Sequence, residues 1–355
     1  MTASRIRLGF LTHANGPADT RETYRGLLRL FRAADELGYH TGWISQHHFQ
    51  DDYGRVPSPL PFLAAAAAQT SRIRLGTAVV IAPLEDPVRL AEDAAVVDEI
   101  SEGRLELGLG NGGFGPEAER VFAAFGIDPA HRRERGSQVL ARTLRALRGE
   151  PLGDRPDGPV LQPPVPGLAD RVWWSSANPR GGAEAGAQGA GLLLARRAIG
   201  ASGPTDLDQL RVVEPYVEQP AAGPGVPPRI AVSRGLFATK DPAASDGEFR
   251  RIVHHYLEGP FRNKEFPPGL AFDDYLARSN FFHGHPEQVA EQLNRDRILP
   301  YATELIVQVH YGATVEESLR NLELIATEVA PLLAPPVHSA VHSPAGAGVG
   351  GEVRR

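Results

Sequence analysis

Two histidines in succession, His47 and His48, close the short apolar run Thr41-Gly42-Trp43-Ile44-Ser45-Gln46. Imidazole titrates near neutrality, so a histidine at a strand end suits general acid–base work. Adjacent side chains on extended backbone point to opposite sides. One ring of the pair can therefore face a site while the other packs outward, and a metal shared by both is disfavoured. From the residues alone, a capping or packing histidine is the competing reading. Further on, Gly108-Leu109-Gly110-Asn111-Gly112-Gly113 would let backbone N–H groups approach an anion closely, and a tight turn explains the same glycines equally well. The run is not the dinucleotide fingerprint, because no helix follows at once. Arg196 ends another apolar run, where it could meet an acidic ligand or form a structural ion pair. His254 and His255 fall on a helical pattern and point about 100° apart, which disfavours a shared metal. His283 and His285 flank Gly284 before a late helix. Walker loop, zinc signature and serine nucleophile elbow are all missing from the sequence.

The elements that must position these residues alternate from end to end. Strand-like runs cover residues 6–12, 41–45, 73–81, 105–109, 172–175, 191–195, 230–238 and 304–310. They are rich in Val, Ile and Leu without strict polar alternation, as expected of parallel strands covered on both faces. Helical patterns cover 24–37, 59–70, 88–100, 136–148, 206–217 and 314–333, the last opened by the capping-box pair Thr314 and Glu317. About eight strand–helix repeats argue for a (β/α)8 TIM barrel over a doubly wound open sheet, for which six strands suffice. Residues 151–167, 218–228 and 259–272 read as long connections that shape a pocket at the barrel mouth. Residues 335–355 lack a periodic apolar face and read as a disordered tail, leaving residues 1–334 as one barrel domain.

Composition narrows the function classes. An apolar fraction of 42% supports a large core, and a net charge of −6 argues against a nucleic-acid groove. The chain has no cysteine, which excludes disulfides, thiolate metal sites and a cysteine nucleophile. The N-terminus shows no signal-peptide core, and no apolar stretch approaches the roughly 20 residues of a membrane span, so a cytoplasmic protein without membrane partners is expected.

Read together, Trp43–Phe49, the run from Ile73 to Pro83, Asp86-Pro87-Val88-Arg89-Leu90-Ala91-Glu92-Asp93 and Ser101–Gly112 closely resemble, in order and spacing, the bacterial luciferase-like flavin monooxygenases. The resemblance implies a TIM barrel that takes reduced FMN from a separate flavin reductase and uses O2 to oxygenate a small organic substrate; the Ala-, Gly-, Pro- and Arg-rich composition of a high-GC genome associates that substrate with secondary metabolism. It places His47 beside the reactive edge of the flavin as the catalytic proton carrier. Gln46 stands where the family commonly has glutamate; its amide can hydrogen-bond but cannot serve as a carboxylate base. The bond between Ala78 and Val79 matches one that braces the flavin ring and is often cis. Asn111 stands where relatives often carry an arginine that contacts the flavin phosphate. In Trp173-Trp174-Ser175-Ser176-Ala177-Asn178-Pro179-Arg180, the matching turn binds that phosphate, which assigns Ser175, Ser176 and Asn178 to it. Arg180 either supplies the missing positive charge or is a solvated helix residue. A homodimer through the helices at 59–70 and 88–100 is implied as well. Two alternatives stay open: an oxidoreductase using the deazaflavin F420, and a non-catalytic flavin-binding protein.

Overall fold

Strands buried on both faces need helices over one face and a filled interior behind the other, and the chain meets that need by closing its sheet. The computed structural model describes residues 6–15, 19–50, 54–153, 155–197, 204–219, 228–258 and 271–336, without the side chains of 254–258. Its strands are β1 (Arg7–Thr12), β2 (Thr41–Ile44), β3 (Arg74–Thr77), β4 (Val80–Ile81), β5 (Leu105–Gly110), β6 (Val172–Ser175), β7 (Gly191–Leu194), β8 (Ile230–Ala238), β9 (Phe281–Gly284) and β10 (Glu304–Gln308). All pairings are parallel, and β10 joins both β1 and β8, so the sheet closes as an eight-stranded (β/α)8 barrel. Its helices include α1 (Thr20–Glu36), α2 (Pro59–Ala67), α3 (Pro87–Ile100), α4 (Pro116–Ala124), α5 (Arg132–Leu147), α6 (Pro179–Gln188), α7 (Thr205–Glu218), α8 (Pro242–Glu258), α9 (Phe272–Arg278), α10 (Pro286–Asn294) and α11 (Val315–Leu324).

Three elements depart from the expectation. Residues 73–81 form two short strands, β3 and β4, on either side of the cis Ala78–Val79 peptide. The far half of β8 leaves the ring and pairs with β9, a strand missing from the sequence reading. The helix expected over 314–333 is α-helical as far as Leu324 and then widens into a π turn, Ile325–Val329. Pro331 accounts for the end of regular helix: it lacks an N–H, and its ring crowds the carbonyl four residues back. Of the connections expected to roof the mouth, residues 151–167 seat Leu161 and Val165 in the core. Residues 220–227 and 259–270, and the tail at 337–355, lie outside the described residues.

Strand alternation divides the core in two. On β5, Leu105, Leu107 and Leu109 join the shell beneath the helices, while Glu106 turns inward. The N-terminal end of the barrel is plugged by Trp43 and Trp173, packed edge to face with centroids 5.7 Å apart. Glycines admit these rings: a Cβ on Gly76 would lie 2.2 Å from Trp43 Cε3, and one on Gly191 would lie 2.3 Å from Trp173 Cε3. Each indole N–H has a carboxyl acceptor: Trp43 Nε1 donates to Glu304 Oε1 at 2.8 Å, and Trp173 Nε1 to Glu106 Oε2 at 2.6 Å. Arg74 pairs with Glu106. Burial and the nearby Glu106 push the Glu304 carboxyl up to about 8, against the pull of the Trp43 hydrogen bond.

Candidate active site

Above this plug the barrel opens into a cavity of about 270 Å3 at the C-terminal ends of the strands, where barrel enzymes carry their sites. Its floor and one wall are apolar: Leu11, Leu193 and Ile306 below, and Ala78 and Val79 at the side. Ser175, Arg196, Arg197, Ser233, Gln308 and His13 supply polar edges. Gly110 lets β5 pass between two of these walls, since a Cβ there would lie 2.9 Å from Val79 Cγ2 and 3.4 Å from Ser175 Cβ.

The structure separates the two histidines as alternation requires. His47 turns toward His13, with ring centroids 5.8 Å apart, while His48 turns out onto Phe125, 4.9 Å away. His47 therefore stands behind His13, which itself lines the cavity. Gly54, at φ +66°, closes over the His47 ring; a Cβ there would lie 2.5 Å from His47 Cγ. Burial holds His47 down at about 4; the Glu117 carboxylate opposes this, and His48 adds to it. Glu117 comes from α4 and accepts a hydrogen bond from Gln50.

Gln46 is consumed by the fold. Its Nε2 donates to the Pro57 carbonyl at 3.0 Å and to Glu85 Oε1 at 3.1 Å, and its Oε1 accepts from the Ile81 N–H at 2.6 Å. It therefore ties the end of β2 to β4, with a carboxyl behind it. Burial raises the Glu85 pKa, while the Gln46 hydrogen bond lowers it.

The Ser175–Arg180 turn opens α6. Asn178 Oδ1 caps the helix through the Gly181 N–H at 3.0 Å. The Ser176 hydroxyl donates to the Asn178 carbonyl at 3.1 Å and accepts from its N–H at 3.2 Å. Gly181 makes room for that hydroxyl, because a Cβ there would lie 2.1 Å from Ser176 Oγ. Arg180 is exposed in the first turn, and Ser175 reaches the cavity. Asn111 goes elsewhere: its buried Oδ1 sits against Gly136 of α5 and has no hydrogen-bond partner among the described residues. Of the residues singled out from sequence, Ala78, Val79 and Ser175 meet on the cavity wall. Ser176, Asn178 and His47 stand next to it, and Asn111 and Gln46 face protein.

Sequence reasoning passed over His13, although it directly follows β1 and so sits where barrel site residues sit. Its network fixes its tautomer. Arg196 can only donate, so Gln308 Oε1 accepts from Arg196 Nε at 2.6 Å, and Gln308 Nε2 donates to His13 Nε2 at 3.0 Å. The His13 proton then lies on Nδ1, which donates to Ser45 Oγ at 2.9 Å. Burial first, then His47, Arg196 and Arg197, hold His13 well below its ordinary value. His310 is also buried: its Nε2 donates to the Leu236 carbonyl at 2.9 Å, and burial lowers it to about 4. Among the described residues no group of three or more His, Asp or Glu is placed to hold a metal, and no helix is long and apolar enough to cross a membrane.

The residues present fit a flavin nucleotide. The apolar wall of Ala78 and Val79 stands over an apolar floor, and the Ser175 and Ser176 hydroxyls lie just before the N-terminus of α6, where a phosphate can be held.

Comparisons with known proteins agree with this geometry. Limonene 1,2-monooxygenase of Rhodococcus erythropolis is 28% identical over 86% of this chain and 80% of its own length. The oxygenase component of the flavin-dependent trigonelline monooxygenase of Acinetobacter baylyi is 30% identical over 41% of this chain and 40% of its own. Among solved structures, the oxygenating constituent of 3,6-diketocamphane monooxygenase from Pseudomonas putida, in complex with FMN, superposes with a TM-score of 0.77. It covers 94% of this chain and 100% of that one at 22% identity. The family model for luciferase-like monooxygenases matches residues 6–299, and the chain belongs to that family.

Proposed function

We propose that the chain binds reduced FMN in the mouth cavity and uses it with O2 to oxygenate a small organic substrate. The observation that carries this reading is the meeting of Ala78, Val79 and Ser175 on one cavity wall, beside the His13–His47 pair. FMN, when bound, supplies the electrons and the reaction with oxygen; the chain supplies position, dryness and proton handling. Ala78 and Val79 brace the ring against one wall, while Leu11, Leu193 and Ile306 keep water from below it. Ser175, Ser176 and the α6 N-terminus hold the phosphate, with Asn178 fixing the turn and Arg180 adding charge from the surface. His47 is neutral at pH 7, and its buried Nε2 is the atom at which a proton is taken up and returned. Gln46 acts from behind the site by fixing β4 against it, and Asn111 packs behind it against Gly136 of α5.

Reduced flavin comes from a separate reductase, a reading supported by the similarity to a flavin-dependent oxygenase component. Residues 1–334 act as one domain with 335–355 as a tail, in the cytoplasm, and the chain pairs with a second copy. Exposed Val96 (48%) and Ile100 (51%) on α3, beside the alanine run of α2, support that pairing, which sedimentation at micromolar concentration checks. The function is tested by supplying reduced FMN, O2 and a panel of ketones, terpenes and aromatic substrates. Substrate-dependent oxygen uptake with an oxygenated product is expected, and flavin-only oxidation across the panel would contradict the reading.

A further inference from the structure

β8 alternates along its length. Ile230, Val232, Leu236 and Ala238 pack into the shell beneath the helices, and Arg234 reaches out to Asp296, while Ala231 and Ser233 face the barrel interior. Ser233 is 3% exposed and lines the mouth cavity. Its Oγ is buried without a hydrogen-bond partner among the described residues. A buried hydroxyl that makes no hydrogen bond costs stability, so its presence on a cavity wall calls for a partner from outside the protein. Around the closed ring, β8 lies four strands from β3 in either direction, so Ser233 stands diametrically across from Ala78 and Val79. On the neighbouring β10 and beyond β1, Gln308 and His13 are locked to each other and to Arg196 and Ser45. His13 is neutral in that network. The Arg196 guanidinium is engaged by Gln308, by the Ser279 carbonyl and by the Phe281 ring, 4.2 Å from its centroid.

We infer that Ser233 determines substrate specificity: its Oγ–H donates to a neutral carbonyl oxygen on an otherwise apolar organic substrate. The inference rests on the FMN reading, because a ring braced at Ala78–Val79 leaves the β8 wall facing the space over its other face. A buried, unpartnered hydroxyl beside a locked neutral histidine and apolar floor residues matches an uncharged acceptor.

The test uses the full chain loaded anaerobically with reduced FMN, whose own affinity is measured first. Calorimetric titrations then compare acetophenone with cumene, in which a methyl replaces the carbonyl oxygen. Acetophenone is expected to bind the parent more tightly than cumene. Ser233→Ala is expected to weaken acetophenone by about tenfold, as loss of one hydrogen bond commonly does, with cumene and FMN affinities unchanged. The melting temperature of the variant should equal or exceed the parent's, because the hydroxyl it removes makes no bond in the protein. Equal losses for both probes, no loss for acetophenone, loss of FMN affinity in the variant, or no detectable acetophenone binding to the loaded parent would each overturn the inference. Failure of the parent to bind FMN is a separate outcome: it overturns the flavin reading and this inference with it.

Discussion

The two ends of this barrel bury polar groups in opposite ways. At the N-terminal end, Trp43, Trp173, Glu304, Glu106 and Arg74 answer one another, donor to acceptor, in a plug of packed rings. At the C-terminal end, Ser233 Oγ and His310 Nδ1 are buried without protein partners among the described residues, around or next to a cavity. Ser233 lines the cavity, where a bound ligand can supply the partner that the fold does not. The plug stabilises the barrel, and the mouth gives up stability for function.

Catalysis should report this division most strongly. His47→Ala is expected to slow turnover by about 10²–10⁴-fold while leaving FMN affinity largely intact, the range typical of a positioned acid–base group. A tightly bound flavin with unchanged turnover in steady-state assays would remove His47 from the reaction. Glu117→Gln sharpens the point: without the carboxylate that opposes burial, the His47 pKa should fall further and the pH–rate profile should move toward acid.

The two ends should also fail at opposite pH limits. His47 and His310 are held near about 4 from an ordinary 6.5, so the unfolded chain binds protons that the folded chain refuses as pH falls through that window. Their stabilisation is present above about 6.5 and is lost toward about 4. Glu304 runs the other way. Raised from 4.5 to about 8, it stabilises the fold below 4.5, and that contribution is lost as pH climbs to about 8. Glu304→Gln, isosteric with the protonated acid, is expected to flatten the alkaline limb and to gain roughly 2–4 kcal/mol over the parent near its upper end. Chemical denaturation across pH measures this. An unchanged alkaline limb would show that the plug carboxyl does not titrate in the folded protein.

Gln46→Glu tests the neighbourhood between the two ends. From sequence alone, this change restores the family's carboxylate and looks like a repair. In the fold, the new carboxylate meets the Pro57 carbonyl and the Glu85 carboxyl, two acceptors where Gln46 donates. The expected outcome is a loss of about 1–3 kcal/mol near neutrality, easing toward acid where one carboxyl is protonated. A variant as stable as the parent, with faster turnover, would favour the repair reading.

All eight barrel strands were legible in the sequence, because buried parallel strands write continuous Val/Ile/Leu runs. β9 was not: its Phe-Phe-His-Gly carries too little apolar length to stand out, and it exists through pairing with an overlong β8. The Ser175–Arg180 turn and the Ala78–Val79 wall were legible through resemblance, since local sequence fixes a strand end and a helix cap. His13, Ser233 and Gln308 were not, because each is a lone polar residue at or just past a strand whose partners lie far away in sequence. Nor could sequence show that Asn111 turns to Gly136, a choice made by helix packing.

The smallest mutational effect should come from Ser176→Ala, which is expected to weaken FMN by about fivefold while sparing riboflavin, as one hydrogen bond to phosphate would. The central claim, that the mouth cavity is a site for reduced FMN, is tested most directly by anaerobic calorimetric titration of the parent chain with reduced FMN, reduced riboflavin and reduced F420. The expected result is one site per chain, tightest for reduced FMN, weaker for riboflavin and weakest for F420. Preference for F420, or binding that ignores the phosphate, would contradict it.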